Sequence, residues 1–303
     1  MDQERMVSGK IIRGIGGFYY VVTRGATIYE CKAKGIFRKE EIKPLVGDDV
    51  RMDILDEEGK LGNIEEILPR KNALTRPAVA NVDQAIVVFS LKSPKPNRGL
   101  LDRFLLMMDQ QEVPVWLCLT KTDLVDRSVV EAYEEAYRQC TEGVLPVSNL
   151  DGSGIRAVRA AMRGRTTVLA GPSGVGKSSL VTHICPEAAP EVGSVSKKTQ
   201  RGKHTTRHSE LFFIEEGTFL FDTPGFSSLS LPDLLPEDLA AYIPEFEAYR
   251  DQCRFPMCTH VHEPDCAVRE AVGVTIDRER YASYCQMFEE LNQAAVKAGY
   301  NKR

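Results

Sequence analysis

The chain has 303 residues, enough for two or three domains of ordinary size. Its 43 acidic side chains outnumber its 39 basic ones by only four. That balance neither demands nor excludes a nucleic-acid partner, so any such contact must rest on a local patch.

No apolar run is long enough to span a bilayer, and the polar stretch Met1–Lys10 lacks the apolar core of an export signal. The expectation is a cytoplasmic chain with no membrane partner, acting as a monomer. Of eight cysteines, Cys253, Cys258 and Cys266 crowd together with a histidine and the other five are scattered. This suits a reducing compartment and a metal site better than a disulfide framework.

Residues 1–70 carry short β-type runs at Lys10–Arg13, Phe18–Thr23, Ala26–Lys32, Val50–Ile54 and Gly62–Ile67. Turn signals at Gly14, Gly16, Gly17, Gly25, Gly47 and Gly59 separate them. Five short strands in this length predict a small β-barrel, with an OB-type barrel as one candidate. Arg24, Lys32, Lys34, Arg38 and Lys39 stand near Phe18, Tyr19, Tyr20, Tyr29 and Phe37. Basic and aromatic residues together suit RNA on a barrel surface, although such aromatics more often fill a core. Leu68–Asn72 then reads as a linker.

From 71 to 232 the texture changes to α/β. Strand-like runs fall at Gln84–Phe89, Val113–Leu119, Val144–Val147, Thr167–Ala170, Leu211–Ile214 and Thr218–Phe221, with helical spacing at Leu100–Met108 and Ser128–Cys140. Alternation of apolar strands with helices argues a mainly parallel sheet covered on both faces.

Within this stretch Gly171-Pro172-Ser173-Gly174-Val175-Gly176-Lys177-Ser178 matches G-x-x-x-x-G-K-[ST] in full, after a strand and before the helical run Ser179–Ile184. The glycines let backbone N–H groups curl around phosphates, and the helix N-terminus adds a favourable field. Lys177 should reach the β- and γ-phosphates and Ser178 should hold Mg²⁺. Ser179 is counted with the nucleotide-binding set.

Thr120-Lys121-Thr122-Asp123 follows a strand and resembles the guanine-reading motif Asn-Lys-x-Asp. The Asp123 carboxylate can accept from the guanine N1–H and amino group, a donor pair adenine lacks. Lys121 would lay its stem along the base, and Thr120 departs from the usual Asn. Ser148, after the strand Val144–Val147, can supply a small polar turn behind the base.

Asp222-Thr223-Pro224-Gly225 resembles the Asp-x-x-Gly element, with Asp222 reaching Mg²⁺ through water and the Gly225 N–H sensing the γ-phosphate. Thr205 or Thr206, in Gly202-Lys203-His204-Thr205-Thr206, can complete the Mg²⁺ shell. The order is base motif, phosphate loop, threonine switch, Asp-x-x-Gly, whereas common GTPases place the base motif last. Four motifs at strand ends in cyclic order imply a circular permutation. The segment after Asp222 then leads straight into the C-terminal domain and should move it.

The residue after Gly225 is Phe226, which cannot position water as the glutamine of Ras-type enzymes does. His204 can orient or deprotonate water instead. Ser194–His208 is basic throughout, with Lys197, Lys198, Arg201, Lys203 and Arg207 and no acid, so it either meets RNA phosphates or is a solvated loop.

Residues 233–303 read as mainly helical, with a helix start at Pro236-Glu237-Asp238-Leu239 and a terminal helix over Arg278–Ala298. Between them, Cys253, Cys258, His260 and Cys266 offer three thiolates and an imidazole, a set suited to one structural tetrahedral Zn²⁺. His262 is the fallback ligand. Cys31, Cys118, Cys140, Cys185 and Cys285 read as small buried apolar residues.

Taken together, Gly171–Ser178, Thr120–Asp123, Gly202–Thr206, Asp222–Gly225 and the Cys253–Cys266 cluster resemble the bacterial small ribosomal subunit biogenesis GTPase A family over nearly the whole chain. The resemblance implies an N-terminal OB-fold, a permuted GTPase centre binding GTP or GDP with Mg²⁺, and a C-terminal zinc domain. It also implies late maturation of the 30S subunit, stimulation of GTP hydrolysis by that subunit, contact with 16S rRNA, and His204 at the proposed catalytic position. The alternative is an RNA-binding assembly factor whose affinity GTP merely regulates.

Overall fold

The structure is a computed structural model that describes residues 6–35, 37, 43–74, 78–186, 210–222 and 231–298. Two compact units divide the chain: Met1–Ala85 with Ile155–Leu169 and Lys177–Gly225, and Ile86–Gly154 with Ala170–Gly176 and Phe226–Arg303.

In the first unit, strands β1 (Met6–Ile15), β2 (Phe18–Thr23), β3 (Ile28–Ala33), β4 (Asp49–Asp56) and β5 (Leu61–Ile67) close into a barrel in the order β1-β2-β3-β5-β4. All pairs are antiparallel except β3 with β5. The two-residue period of a strand sends Tyr29 and Cys31, and likewise Val50 and Met52, into one interior with Ile11, Val21 and Ile64. Tyr29 and Phe37 are core residues, whereas Phe18 is exposed with the Lys32 ammonium 5.3 Å from its ring centroid. The Arg13 guanidinium lies 4.1 Å from the Tyr20 ring centroid.

The stretch that reads as a linker is firmly held. Arg70 donates to both carboxylate oxygens of the fully buried Asp48, at 2.7 and 2.9 Å. Asn72 exchanges two hydrogen bonds with the Val82 backbone, at 2.7 and 2.9 Å. The short pair β6 (Ala73–Leu74) and β7 (Val79–Ala80) follows directly.

This unit also holds β11 (Thr166–Ala170), β12 (Glu210–Glu215) and β13 (Thr218–Asp222) in the order β11-β13-β12, with β11 and β13 parallel. The β12 edge meets the barrel. Arg13 lies 3.6 Å from Glu210, and the Lys10 ammonium sits 5.6 Å from the Phe219 ring centroid. Helices α3 (Ile155–Met162), unanticipated from spacing, and α4 (Lys177–Ile184) pack nearby, joined by Arg159 donating to the His183 carbonyl at 2.8 Å.

The second unit contains β9 (Val115–Thr120) between β8 (Gln84–Ser90) and β10 (Gly143–Val147), with β9 and β10 parallel. Every residue of β8 is buried, as expected of a strand covered on both faces. Helix α1 (Arg98–Asp109) starts at Asn97, whose side chain accepts from the Leu100 N–H, and α2 spans Arg127–Tyr137.

The C-terminal part has two 3-10 helices, Pro236–Tyr242 and Pro244–Gln252, then α5 (Ala267–Ala271) and α6 (Arg278–Lys297). The helix expected at Pro236 is a 3-10 helix, and it ends at Tyr242 because Pro244 holds Ile243 in extended backbone. Phe246, Leu239, Val268, Ile276, Tyr284, Met287, Phe288 and Leu291 form its core together with Leu106 of α1.

Beside that core Arg280 is buried between two carboxylates. It pairs with Asp102 of α1 and donates to Glu245 at 2.8 and 2.7 Å, while its guanidinium carbon lies 5.0 Å from the Tyr137 ring centroid. Burial pushes the Asp102 pKa up and the adjacent Arg280 pulls against that. Removing the cation strands two buried carboxylates. Arg280→Ala is therefore expected to destabilise the protein by about 3–5 kcal/mol, measured as a shift of the urea midpoint.

Candidate nucleotide site and metal centre

Parallel strands present their carboxyl ends on one side, and the parallel register pairs Thr120 at the end of β9 with Val147 at the end of β10. The Leu91 N–H donates to the Thr120 carbonyl at 3.1 Å, so the loop after β8 starts at the same level. Thr120–Asp123, Ser148 and Leu91–Asn97 thus emerge side by side.

The phosphate loop leaves β11 through Gly171, whose φ is +136° and where a Cβ would lie 2.2 Å from the Val88 carbonyl oxygen. Only glycine lets the chain pass that close. Pro172 is half-buried, Ser173 and Gly174 are exposed, Val175 is buried, and Lys177 opens α4 with Ser178 and Ser179 exposed in its first turn.

Three side chains hold this loop from behind. Thr120, fully buried, places its hydroxyl 2.5 Å from the Val175 carbonyl oxygen and 3.2 Å from that of Phe89. The Lys121 ammonium donates to the Gly174 carbonyl at 3.2 Å and also to the Ser93 carbonyl. Asn149 donates through Nδ2 to the Gly176 carbonyl at 3.1 Å. In a planar trans peptide, C=O and N–H point opposite ways. Holding the carbonyls of residues 174, 175 and 176 on one side therefore turns the N–H groups of Val175, Gly176 and Lys177 to the other, the arrangement that binds an anion.

Lys121 takes a left-handed φ of 60° at the entry to the 3-10 helix Thr122–Leu124, which carries Asp123 exposed. Ser148 is buried at 2% exposure, and its hydroxyl accepts from the Leu150 N–H at 3.3 Å. The Ser148 carbonyl accepts from the Gly152 N–H and the Ser148 N–H donates to the Ser153 carbonyl, both at 3.0 Å. Asp222 ends β13 in register with Leu169 of β11, just before the phosphate loop. The segment with His204, Thr205 and Thr206, and Gly225, lies outside the described residues.

Thr120, where the guanine-reading motif usually has Asn, braces the phosphate loop through its hydroxyl. Asn149 and Ser93 were not anticipated at all. Asn149 directly follows Ser148 in a turn of polar residues, the one signal that pointed to it.

The metal cluster is assembled as spacing suggests. One ligand atom each from Cys253, Cys258, His260 and Cys266 lies within 4.8 Å of every other. The Cys253 and Cys266 sulfurs are 3.9 Å apart, and His260 Nδ1 is 3.6 and 3.4 Å from them. Metal–sulfur and metal–nitrogen bonds of about 2.3 and 2.0 Å give tetrahedron edges of about 3.8 and 3.5 Å, so the residues fit a small tetrahedral ion.

His262 is exposed and outside the cluster. The Phe246 ring meets the His260 ring edge-on with centroids 5.5 Å apart, and the Tyr281 hydroxyl donates to the His260 carbonyl at 2.8 Å. The ligand loop closes on Glu263, which accepts from the Thr259 N–H and hydroxyl at 2.8 and 2.7 Å. Burial works against the Glu263 charge, but these donors override it and draw its pKa down to about 2. Of the other cysteines, Cys31 and Cys118 are buried and Cys140, Cys185 and Cys285 half-buried.

A phosphate loop braced by a base-reading segment that precedes it in the chain defines a circularly permuted GTPase. Two family models match: RsgA GTPase over residues 67–232 and RsgA N-terminal domain over residues 8–64. The chain belongs to the RsgA GTPase family.

It is 49% identical over 296 residues to the small ribosomal subunit biogenesis GTPase RsgA of Agathobacter rectalis, covering 94% of this chain and 98% of that protein. It is 46% identical to the protein of the same description from Alkaliphilus metalliredigens, covering 95% and 99%. The crystal structure of YjeQ from Thermotoga maritima superposes with a TM-score of 0.80 at 35% identity, covering 95% of this chain and 99% of that one. YloQ, described as a circularly permuted GTPase, gives 0.77 at 34% identity and 97% coverage of both chains.

Among the described residues no helix is long and apolar enough to cross a membrane. Stripping metal with a strong chelator is expected to make the thiols of Cys253, Cys258 and Cys266 reactive to a colorimetric thiol reagent in the native protein and to lower its thermal midpoint.

Proposed function

We propose that this chain binds GTP with Mg²⁺ and hydrolyses it slowly as a checkpoint in assembly of the small ribosomal subunit. The observation that carries the nucleotide reading is the brace from Thr120 and Lys121 to the Val175 and Gly174 carbonyls, which joins a guanine-reading segment to a phosphate cradle.

In this reading Asp123 accepts from the guanine edge and Ser148 backs the base. Gly171–Ser179 wraps the phosphates, with Lys177 on the β- and γ-phosphates. Ser178, Asp222 and Thr205 or Thr206 serve Mg²⁺, and Gly225 senses the γ-phosphate. His204 orients the attacking water. The metal held by Cys253, Cys258, His260 and Cys266 is Zn²⁺, a structural ion because four protein ligands leave no open position.

The relatives' description as small ribosomal subunit biogenesis GTPases supports the 30S subunit as partner. The outward Phe18 and Tyr20 beside Lys32 and Arg13 supply a stacking and cationic surface suited to 16S rRNA. The protein works in the cytoplasm as a monomer, with a barrel domain over 1–70, a GTPase domain over 71–232 and a zinc domain over 233–303.

The decisive experiment compares single-turnover GTP hydrolysis with and without 30S subunits at stated salt. Acceleration by the subunit supports the assembly role, and an unchanged rate removes it. Two substitutions test the residue roles. Asp123→Asn exchanges an acceptor for a donor, so calorimetry should show preference moving from guanine to xanthine triphosphate, whose C2 carbonyl replaces the amino group. His204→Ala should leave GTP affinity unchanged and lower subunit-stimulated turnover by at least about a hundredfold.

A further inference from the structure

Asn149 occupies a place that none of the assigned roles explains. It lies in the loop from β10 to α3, next to the buried Ser148, and its amide reaches across to the phosphate loop, where Nδ2 donates to the Gly176 carbonyl at 3.1 Å. Gly176 has a φ of +98°, and a Cβ there would come within 2.8 Å of that same nitrogen. The Asn149 amide therefore fills the space that a side chain at 176 would need.

The support behind Asn149 is stiff. A Cβ on Gly154, farther along the loop, would lie 2.0 Å from the Pro146 carbonyl oxygen. The Asp151 carboxylate accepts from the Ser153 N–H at 2.9 Å, and the Ser148 carbonyl accepts from the Gly152 N–H at 3.0 Å. A hydrogen bond from a loop organised in this way sets the orientation of the peptide it touches.

We infer that Asn149 is a positioning residue of the phosphate cradle: by holding the Gly176 carbonyl, it aims the Lys177 N–H at the phosphates of the bound nucleotide. Lys121 and Thr120 hold the two preceding carbonyls from the base-reading segment after β9, and Asn149 holds the third from the loop after β10. Both loops that flank the base thus set the cradle, the first through two side chains and the second through one. The effect of Asn149 is on phosphate binding, while discrimination among bases stays with Asp123. The inference rests on the nucleotide-site reading proposed above.

The test uses the full chain with Mg²⁺ and two ligands, GDP and inosine diphosphate, the latter lacking the amino group that Asp123 reads. Calorimetry of wild type, Asn149→Ala and Asn149→Asp gives both affinities, and the ³¹P resonance of the bound β-phosphate reports the cradle directly. Asn149→Ala should weaken GDP by about tenfold, the worth of one well-placed hydrogen bond. It should leave the GDP-to-IDP affinity ratio at the wild-type value and shift the β-phosphate resonance. Asn149→Asp keeps the shape but sets an acceptor against an acceptor, so it should weaken GDP at least as much.

Unchanged GDP affinity in both variants would overturn the inference. So would a collapse of the GDP-to-IDP ratio, which would put Asn149 at the base, or recovery of affinity in Asn149→Asp, which would make volume rather than the donor the cause. A wild type that binds GDP no better than IDP overturns the nucleotide-site reading itself and the inference with it.

Discussion

The orientation of three consecutive peptides governs what this molecule can do. An anion-binding loop works only if its amide protons converge, and a glycine-rich chain has no intrinsic reason to hold them so. Here the constraint is supplied from outside. Thr120, Lys121 and Asn149 each take one carbonyl of residues 174–176, and planarity of the peptide does the rest. Those side chains stand at the ends of neighbouring parallel strands, so the strand register sets their spacing. The segment after β9 and the loop after β10 thus both hold the phosphate loop.

The C-terminal part is held by different physics. Its apolar core is modest, and two polar devices secure it. The thiolate–imidazole cluster closes the loop from Cys253 to Cys266, and the buried Arg280 joins α6 to α1 through Asp102 and to the second 3-10 helix through Glu245. A buried cation between two carboxylates adds less net stability than apolar packing of the same volume, but it penalises any other docking of the helices. Arg98, which pairs with Asp277 at the cap of α6, and Arg103, which pairs with Glu290, mark the same interface at two further points along the helices.

Much of this was legible in the amino-acid sequence. Gly171–Ser178 runs from the end of a strand into the start of a helix, and Cys253, Cys258, His260 and Cys266 cluster, as their residue types and spacing require. The barrel strands were visible by alternation, with limits off by up to four residues because pairing, rather than apolarity, decides where a strand stops. Contacts between distant segments were invisible. No periodicity marks Arg280 as the partner of Asp102, since a charged residue within a helix normally reads as solvated. Asn149 looked like one more polar turn residue. Leu68–Asn72 looked like a linker because its residues are polar, and only the fold shows that Arg70 and Asn72 spend that polarity on Asp48 and Val82. The threonine switch with His204 lies outside the described residues.

The permuted order also has a temporal side. Translation runs from the amino terminus, so Thr120, Lys121 and Asn149 are synthesised before residue 171. The side chains that hold the cradle are therefore made first, and Gly174, Val175 and Gly176 follow them. In the unpermuted arrangement the glycine-rich segment is synthesised ahead of every side chain that orients it.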